Sequence, residues 1–485
     1  MKRPRPATFA LVIIVALLGV LGFGLWRVSL PPSLGWTAEE IAAEQRALVE
    51  ASMPPGEAAW PLIEEALAQT DVIVNAWPEG MMGRLTNVSE PLLRLGWEDP
   101  RLAPGKTAFV ELAPVVGLLL EASKRPRLFE DGAGAGRAGA WMETETGPFR
   151  MPAVRMRTSV EILLVDARRA LAEGDAVGFV QRIAAAARLA DLADQAPLLL
   201  TISSSSLMRS LTLDAITDAF RDYELSSETC DALFSIALAI RDGLLEPDVL
   251  RFKGERLFSY AELLRIVERS ESQGVIERLL VSARVRASDS DELDYLDDYD
   301  AAWLDWMSSR STEEVRAALD AYEATMGEWW SLSFMHRPAE PPGDLGFPDV
   351  GLLDGAKIVA MLRGRLDLVR MRAVGVAALA AVEGHRVRTG SWPESLLEVT
   401  ATGGLSNHYS GIGLGYSNAP SEGWPITLRL TIGDGAMARL QPPYSPFDAD
   451  DAFPDERLVT RPAQTMSDEE LAYYSWLAPE EAEGE

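Results

Sequence analysis

Proton transfer near neutral pH falls most readily to histidine, and nucleophilic or metal chemistry often falls to cysteine. This chain of 485 residues holds three histidines, His336, His385 and His408, and one cysteine, Cys230. Histidine-based catalysis therefore has little to draw on. An internal disulfide framework and a multi-cysteine zinc site are excluded outright. Carboxylates are plentiful, with 73 Asp and Glu against 45 Lys and Arg, a formal net charge of −28. That abundance makes any single carboxylate pair uninformative as an acid–base couple. The same acidity repels phosphate backbones and argues against a nucleic-acid partner.

Several short motifs resemble chemistry by letter. Gly134-Ala-Gly-Arg-Ala-Gly139 fits G-x-G-x-x-G. A pyrophosphate site needs a strand before that motif and a helix after it, and neither pattern flanks it here. A loop is the reading. Gly105-Lys106-Thr107 has the end of a phosphate loop, but Pro100 stands where its first glycine belongs. Gly415-Tyr416-Ser417-Asn418-Ala419 approaches a nucleophile elbow without its final glycine, so a polar glycine loop is expected there. Asp289 to Asp294 has calcium-loop spacing, with Leu293 and Asp294 where a ligand and a glycine are required. A solvated helix end is expected instead. Asp448-Ala-Asp450-Asp451 is the better hard-cation candidate, weighed against a plain charged tail. Trp303, Trp306, Trp329 and Trp330 stand near helix ends, where packing is a better account than sugar stacking. No catalytic, cofactor-binding or metal-ligating residue is nominated, and no cofactor is implied.

The clearest signal lies at the amino terminus. Lys2, Arg3 and Arg5 precede an uncharged run of 20 residues, Ala7 to Trp26. About 20 residues cross a bilayer core at 1.5 Å per residue. Arg27 closes the run, Pro31-Pro32 stops a helix, and Trp26 sits where an interfacial aromatic belongs. A cleaved signal peptide has a shorter apolar region and an Ala-x-Ala-like site; Gly22-Phe23-Gly24 is a poor version of one. The run is read as an uncleaved anchor, with the basic flank in the cytoplasm and the bulk of the chain outside, across an inner membrane. Only five of the 45 basic residues are Lys, a bias that accompanies GC-rich bacterial genomes.

The remainder reads as mainly α. The divisions are 1–30, tip and anchor; 31–157, helices among Gly- and Pro-rich loops; 158–337, a helical domain; 338–447, a small α+β unit; and 448–485, an acidic tail. Thr37-x-x-Glu40 makes a capping box for a helix ending near Ser52, and residues 56–77 form another. Residues 78–157 read as loops around one helix near 110–123. Thr158-x-x-Glu161 is a second capping box. Apolar positions 160, 163, 164, 167 and 171 then mark one helical face. Gly174-Asp175 turns the chain into a helix over 177–193. Further helices are expected at about 197–222, 227–242, 247–270, 273–286, 301–309 and 312–330. The last of these opens on a capping box of Ser311 with Glu314. Proline and glycine over 338–348 suggest a domain boundary. One long helix covers 352–389, with Ile358, Leu362, Leu366, Val369, Val376 and Leu379 as its buried stripe. Ile426 to Ile432 alternates as a strand. Gly433-Asp434-Gly435 would turn it into a partner over Ala436–Gln441. The tail carries twelve acids against Arg457 and Arg461.

The end of the long helix, Ala377 to Val399, reads Ala-Ala-Leu-Ala-Ala-Val-Glu-Gly-His-Arg-Val-Arg-Thr-Gly-Ser-Trp-Pro-Glu-Ser-Leu-Leu-Glu-Val. Its helix–Gly390-x-Trp392-Pro393-x-Ser395-Leu396 pattern resembles a segment of membrane-anchored proteins of unknown function from planctomycete-like bacteria. It is also similar to the helix-to-loop junction of type II secretion major pseudopilins. The resemblance implies a membrane-tethered helix packed on a small sheet. His385 replaces the usual aromatic, and the prepilin glutamate is absent from the Ala7–Trp26 run. Three functions follow as expectations. The first is a scaffold or interaction protein of the cell envelope, partnered by the membrane and by other envelope proteins. The second is an extracytoplasmic hydrolase with unlocated carboxylates, and the third is a pseudopilin-like secretion component.

Overall fold

The structure, a computed structural model, describes residues 35–52, 54–78, 85–129, 152–195, 199–243, helical stretches between 252 and 267, 297–332, 336–338, 342, 355–400, 412–417 and 427–432. Helices dominate. In chain order they are α1 (Ala38–Ser52), α2 (Trp60–Asn75), α3 (Thr86–Leu95), a 3-10 turn (Pro100–Leu102), α4 (Ala103–Val110), α5 (Ala113–Ala122), α6 (Pro152–Ala172) and α7 (Ala176–Ala193). Then come α8 (Leu199–Asp222), α9 (Ser227–Gly243), α10 (Asp297–Ser308), α11 (Thr312–Ser331), α12 (Gly355–Thr389) and α13 (Leu396–Thr400), followed by strands β1 (Ile412–Ser417) and β2 (Thr427–Ile432).

Local chemistry sets many of the helix ends. Thr37 and Glu40 close a reciprocal capping box, with both backbone amides bonded to the opposite side chain at 2.8 and 3.2 Å. Ser311 and Glu314 do the same ahead of α11. Between α6 and α7, Gly174 takes φ +80°, its amide bonds Leu171 O, and the Asp175 amide bonds Ala170 O. This is a Schellman stop, which needs a left-handed residue and hence glycine. The Asp175 carboxylate then caps the Gly178 amide at 2.8 Å, so one dipeptide ends a helix and starts the next.

The main core joins α2–α9 to α12. Helix α12 lies along α9 and α8, α6 packs on α7 and α8, and α2 packs on α5. Leu362, Leu366, Val369, Val376 and Leu379 of α12 are buried, as their helical spacing predicts. So are Val160, Leu163, Leu164, Ala167 and Leu171 of α6. The boundary read near 338–348 therefore does not separate two cores, because α12 fills the same core as α6–α9. A second, smaller cluster gathers Ile41, Tyr260, Leu263, Trp303, Trp306 and Val315, with Trp36 stacked on Tyr260 at 5.0 Å. Helix α11 bridges the two clusters. Val315 and Leu319 serve the smaller one, while Tyr322, Met326, Trp329 and Trp330 serve the larger.

Three expectations need correction. Thr158 does not cap a helix, because α6 already begins at Pro152 and runs through it. Proline at the first helical position loses no intrahelical bond, and that start signal outweighs the hydroxyl at 158. Residues 85–129 hold α3, α4, α5 and a 3-10 turn rather than loops around one helix. Their prolines stand mostly in first turns, where the missing amide is harmless. Among the described residues β2 pairs with β1, Ile412–Ser417, antiparallel, in register Leu414 with Leu430 and Tyr416 with Leu428. Residues 415–417, expected in a glycine loop, are therefore strand. Glycines at 413 and 415 mask the Ile412–Leu414–Tyr416 alternation, of which Leu414 and Tyr416 pack against the core with buried Leu428. The proposed partner Ala436–Gln441 lies outside the described residues, as do the helix over 273–286 and the tail.

Among the described residues no single helix is long and apolar enough to cross a membrane. The pair Pro100–Val110 and Ala113–Ala122 has the composition but bends by 67°. Its Phe109, Leu112, Val115 and Leu119 are buried in the main core. The Ala7–Trp26 run lies outside the described residues.

Candidate functional site

Three helices meet around a groove of about 240 Å³. Each contributes one helical stripe, with residues three or four apart on the same face. From α3 come Ser89, Glu90, Leu93 and Arg94; from α6, Arg157, Glu161, Leu164 and Arg168; from α8, Leu211, Asp214, Ala215 and Asp218. These are positions where a helix packed on two others ordinarily carries apolar residues. Here the stripes alternate apolar and charged side chains.

The charges are largely buried and paired. Glu161, 5% exposed, accepts from Arg157 Nε at 2.7 Å and from the Ser89 hydroxyl at 3.4 Å. Arg168 binds Asp218, whose other oxygen takes Arg221 Nη1 at 2.7 Å. Arg372, reaching from α12, binds Asp214, and Arg94 stands 3.7 Å from Glu90 at the rim. Burying such pairs contributes little net stability compared with apolar packing of equal volume. Their concentration on one groove is the kind of local rule-breaking that marks sites rather than cores. Arg168 Nε is buried and has no hydrogen-bond partner among the described residues. The apolar wall is formed by Leu93, Leu164, Leu211 and Ala215.

Sequence reasoning missed this groove. It took Glu161 for a capping residue, whereas the carboxylate sits mid-helix and faces α3. The available signal was the charge at 157, 161 and 168, interleaved with the apolar stripe it did read.

The earlier motifs fall elsewhere. Gly105, Lys106 and Thr107 lie inside α4, with the Thr107 hydroxyl bonded to Ala103 O, so no phosphate loop forms there. Ser417 ends a strand and is no elbow nucleophile. Trp303, Trp306, Trp329 and Trp330 are buried, which is the packing role expected of them. His336 is exposed and His385 half-buried. Cys230 is buried and free, and burial, with Glu383 nearby, pushes its thiol up to about 11. That thiol is unsuited to nucleophilic work. Residues 134–139, His408, 289–294 and 448–451 lie outside the described residues. Among the described residues no group of three or more His, Cys, Asp or Glu is placed to hold a metal ion.

The resemblance at the end of α12 gains a physical account. Gly390 takes φ +77°, and its amide still bonds Arg386 O at 2.8 Å. Trp392 is half-buried against the core, with the Arg386 guanidinium 5.1 Å from its ring. Pro393 is buried, and its carbonyl accepts from the Tyr416 hydroxyl of β1 at 2.9 Å. The segment thus ties the helix end to the sheet. No known protein family matches the chain, and no curated protein or solved structure is significantly similar to it.

Proposed function

We propose that the chain is a single-pass membrane protein of the bacterial cell envelope. Its amino terminus stands in the cytoplasm, its helical body outside, and it works as a scaffold or interaction protein for other envelope proteins. The basic-flanked 20-residue apolar run at Ala7–Trp26 carries this reading. The body supports the scaffold role, because helices packed in layers offer broad faces and α12 alone, at 35 residues, spans about 52 Å at 1.5 Å per residue. The Gly390-x-Trp392-Pro393 junction, which resembles that of membrane-anchored bacterial proteins, points the same way.

Reporter fusions after Glu485 test the reading. Alkaline phosphatase, active only outside the cytoplasm, should be active there, and a fluorescent protein that matures only inside should stay dark. Bright fluorescence with inactive phosphatase would reject the topology. Deleting residues 1–27 should move the body from the membrane fraction to the soluble one, and retention in the membrane would reject the anchor.

A further inference from the structure

The residues just before α1 are seated on the start of α11. The Gly35 carbonyl accepts a hydrogen bond from the Arg316 guanidinium, 281 positions away. Gly35 takes φ +61°, and a Cβ there would come within 2.8 Å of the Thr312 side chain, so the seat requires glycine. Trp36 stacks on Tyr260 with ring centroids 5.0 Å apart and planes 3° from parallel, and the Arg316 guanidinium stands 5.4 Å from the Trp36 ring. Such a cation over an aromatic face adds its own attraction. Ile41, one turn into α1, is buried in the same small cluster. A segment serving only as a flexible tether needs none of these contacts.

We propose that this seat sets the stance of the body: the smaller cluster is the face turned to the chain's own lipid bilayer, and the main core stands away from it. The inference rests on the reading of Ala7–Trp26 as the membrane span. Nine residue steps separate Trp26 from Gly35. An extended chain gains at most about 3.6 Å per residue, so Gly35 lies within about 32 Å of the end of the span whatever path those steps take. The first turn of α11, in contact with Gly35, shares that limit to within the reach of a side chain. Ser331 ends α11, 18 residues after Glu313 and about 27 Å farther along the helix axis. Val315 and Leu319 place the near end of α11 in the smaller cluster, and Trp329 and Trp330 place its far end in the main core. A chain of net charge −28 is repelled by anionic headgroups, which turns the larger end outward instead of laying α11 along the surface. The main core, α12 included, then faces the envelope.

The test uses the full chain in vesicles of phosphatidylethanolamine and phosphatidylglycerol that carry an acceptor dye on their headgroups. Glu313→Cys and Ser331→Cys, both at exposed positions, each take a donor dye from an impermeant maleimide. Cys230 is buried with its thiol pushed up to about 11, so it stays unlabelled near neutral pH. Energy transfer to the lipid should be strong from position 313 and several-fold weaker from 331. Inserting about 30 Gly and Ser residues after Ser33 adds roughly 30 Å of root-mean-square reach without touching the fold, and should bring transfer from 313 down toward that from 331. Trp36→Ala with Arg316→Ala, which empties the seat, should narrow the difference in the same way. Equal transfer from the two positions, stronger transfer from 331, or indifference to the insertion would each overturn the proposed stance in a chain that floats with the vesicles. A chain that does not float with them would overturn the span itself, and the stance with it.

Discussion

Asp367 is the counter-charge for two buried guanidiniums, and removing it should be among the most damaging single changes in the body. The carboxylate sits in α12 with a side chain 1% exposed. Arg337, also 1% exposed, reaches it from the segment after α11, and Arg363 Nε stands 3.6 Å away, one turn before it on α12. The Arg337 guanidinium lies 5.3 Å from the Trp329 ring and that of Arg363 5.4 Å from Trp330, so aromatic walls replace water on both. Asp367→Ala leaves both cations buried without this partner. Breaking a buried pair in this way costs about 3–5 kcal/mol, chiefly through the charge left behind. At roughly 2–4 °C per kcal/mol for a body of this size, melting should fall by about 6–20 °C. Far-UV circular dichroism on the detergent-purified chain would follow it. A triple variant, Arg337→Met, Arg363→Met and Asp367→Leu, removes all three charges and should recover most of the loss. A single variant melting within about 2 °C of the parent would refute the reasoning, as would a triple variant no better than the single one.

Leu379, fully buried in α12, should cost about 2–5 kcal/mol on truncation to Ala, measured as a drop in the urea midpoint with unchanged slope. Trp392 is only half-buried, so Trp392→Ala should cost about half of the ~3–5 kcal/mol of a fully buried ring. Hydrogen exchange should quicken over about 380–432 while α6–α8 stay protected. Cys230, its thiol pushed up to about 11, has roughly one thiolate in a thousand at pH 8. Maleimide at that pH should spare it in the folded chain and label it fully in urea. Labelling should rise only as pH climbs toward 11.

Helix ends set by near neighbours were legible in the sequence. The Ser311–Glu314 box, the Gly174-Asp175 turn and the Gly390 stop each involve residues within a few positions, so the letters carry the geometry. The apolar stripes of α6 and α12 were legible because a 3.6-residue period needs no knowledge of the partner. Long-range partners were hidden. Glu161 gains its meaning only when Ser89, 72 positions away, is brought beside it. Strand β1 was concealed by two glycines, and its partner β2 starts only at Thr427. Arg337 reads as a charge before a proline-rich linker, and only the fold shows it buried against Asp367. The groove was missed for the same reason, since its three stripes come from helices far apart in the chain.

The central claim, a helical body held outside by one amino-terminal span, is tested most directly by proteolysis of oriented membranes carrying the full chain. Protease added to right-side-out spheroplasts should digest the body, while inverted vesicles should protect it and expose only the first few residues. Protection in spheroplasts with digestion in inverted vesicles would contradict the account.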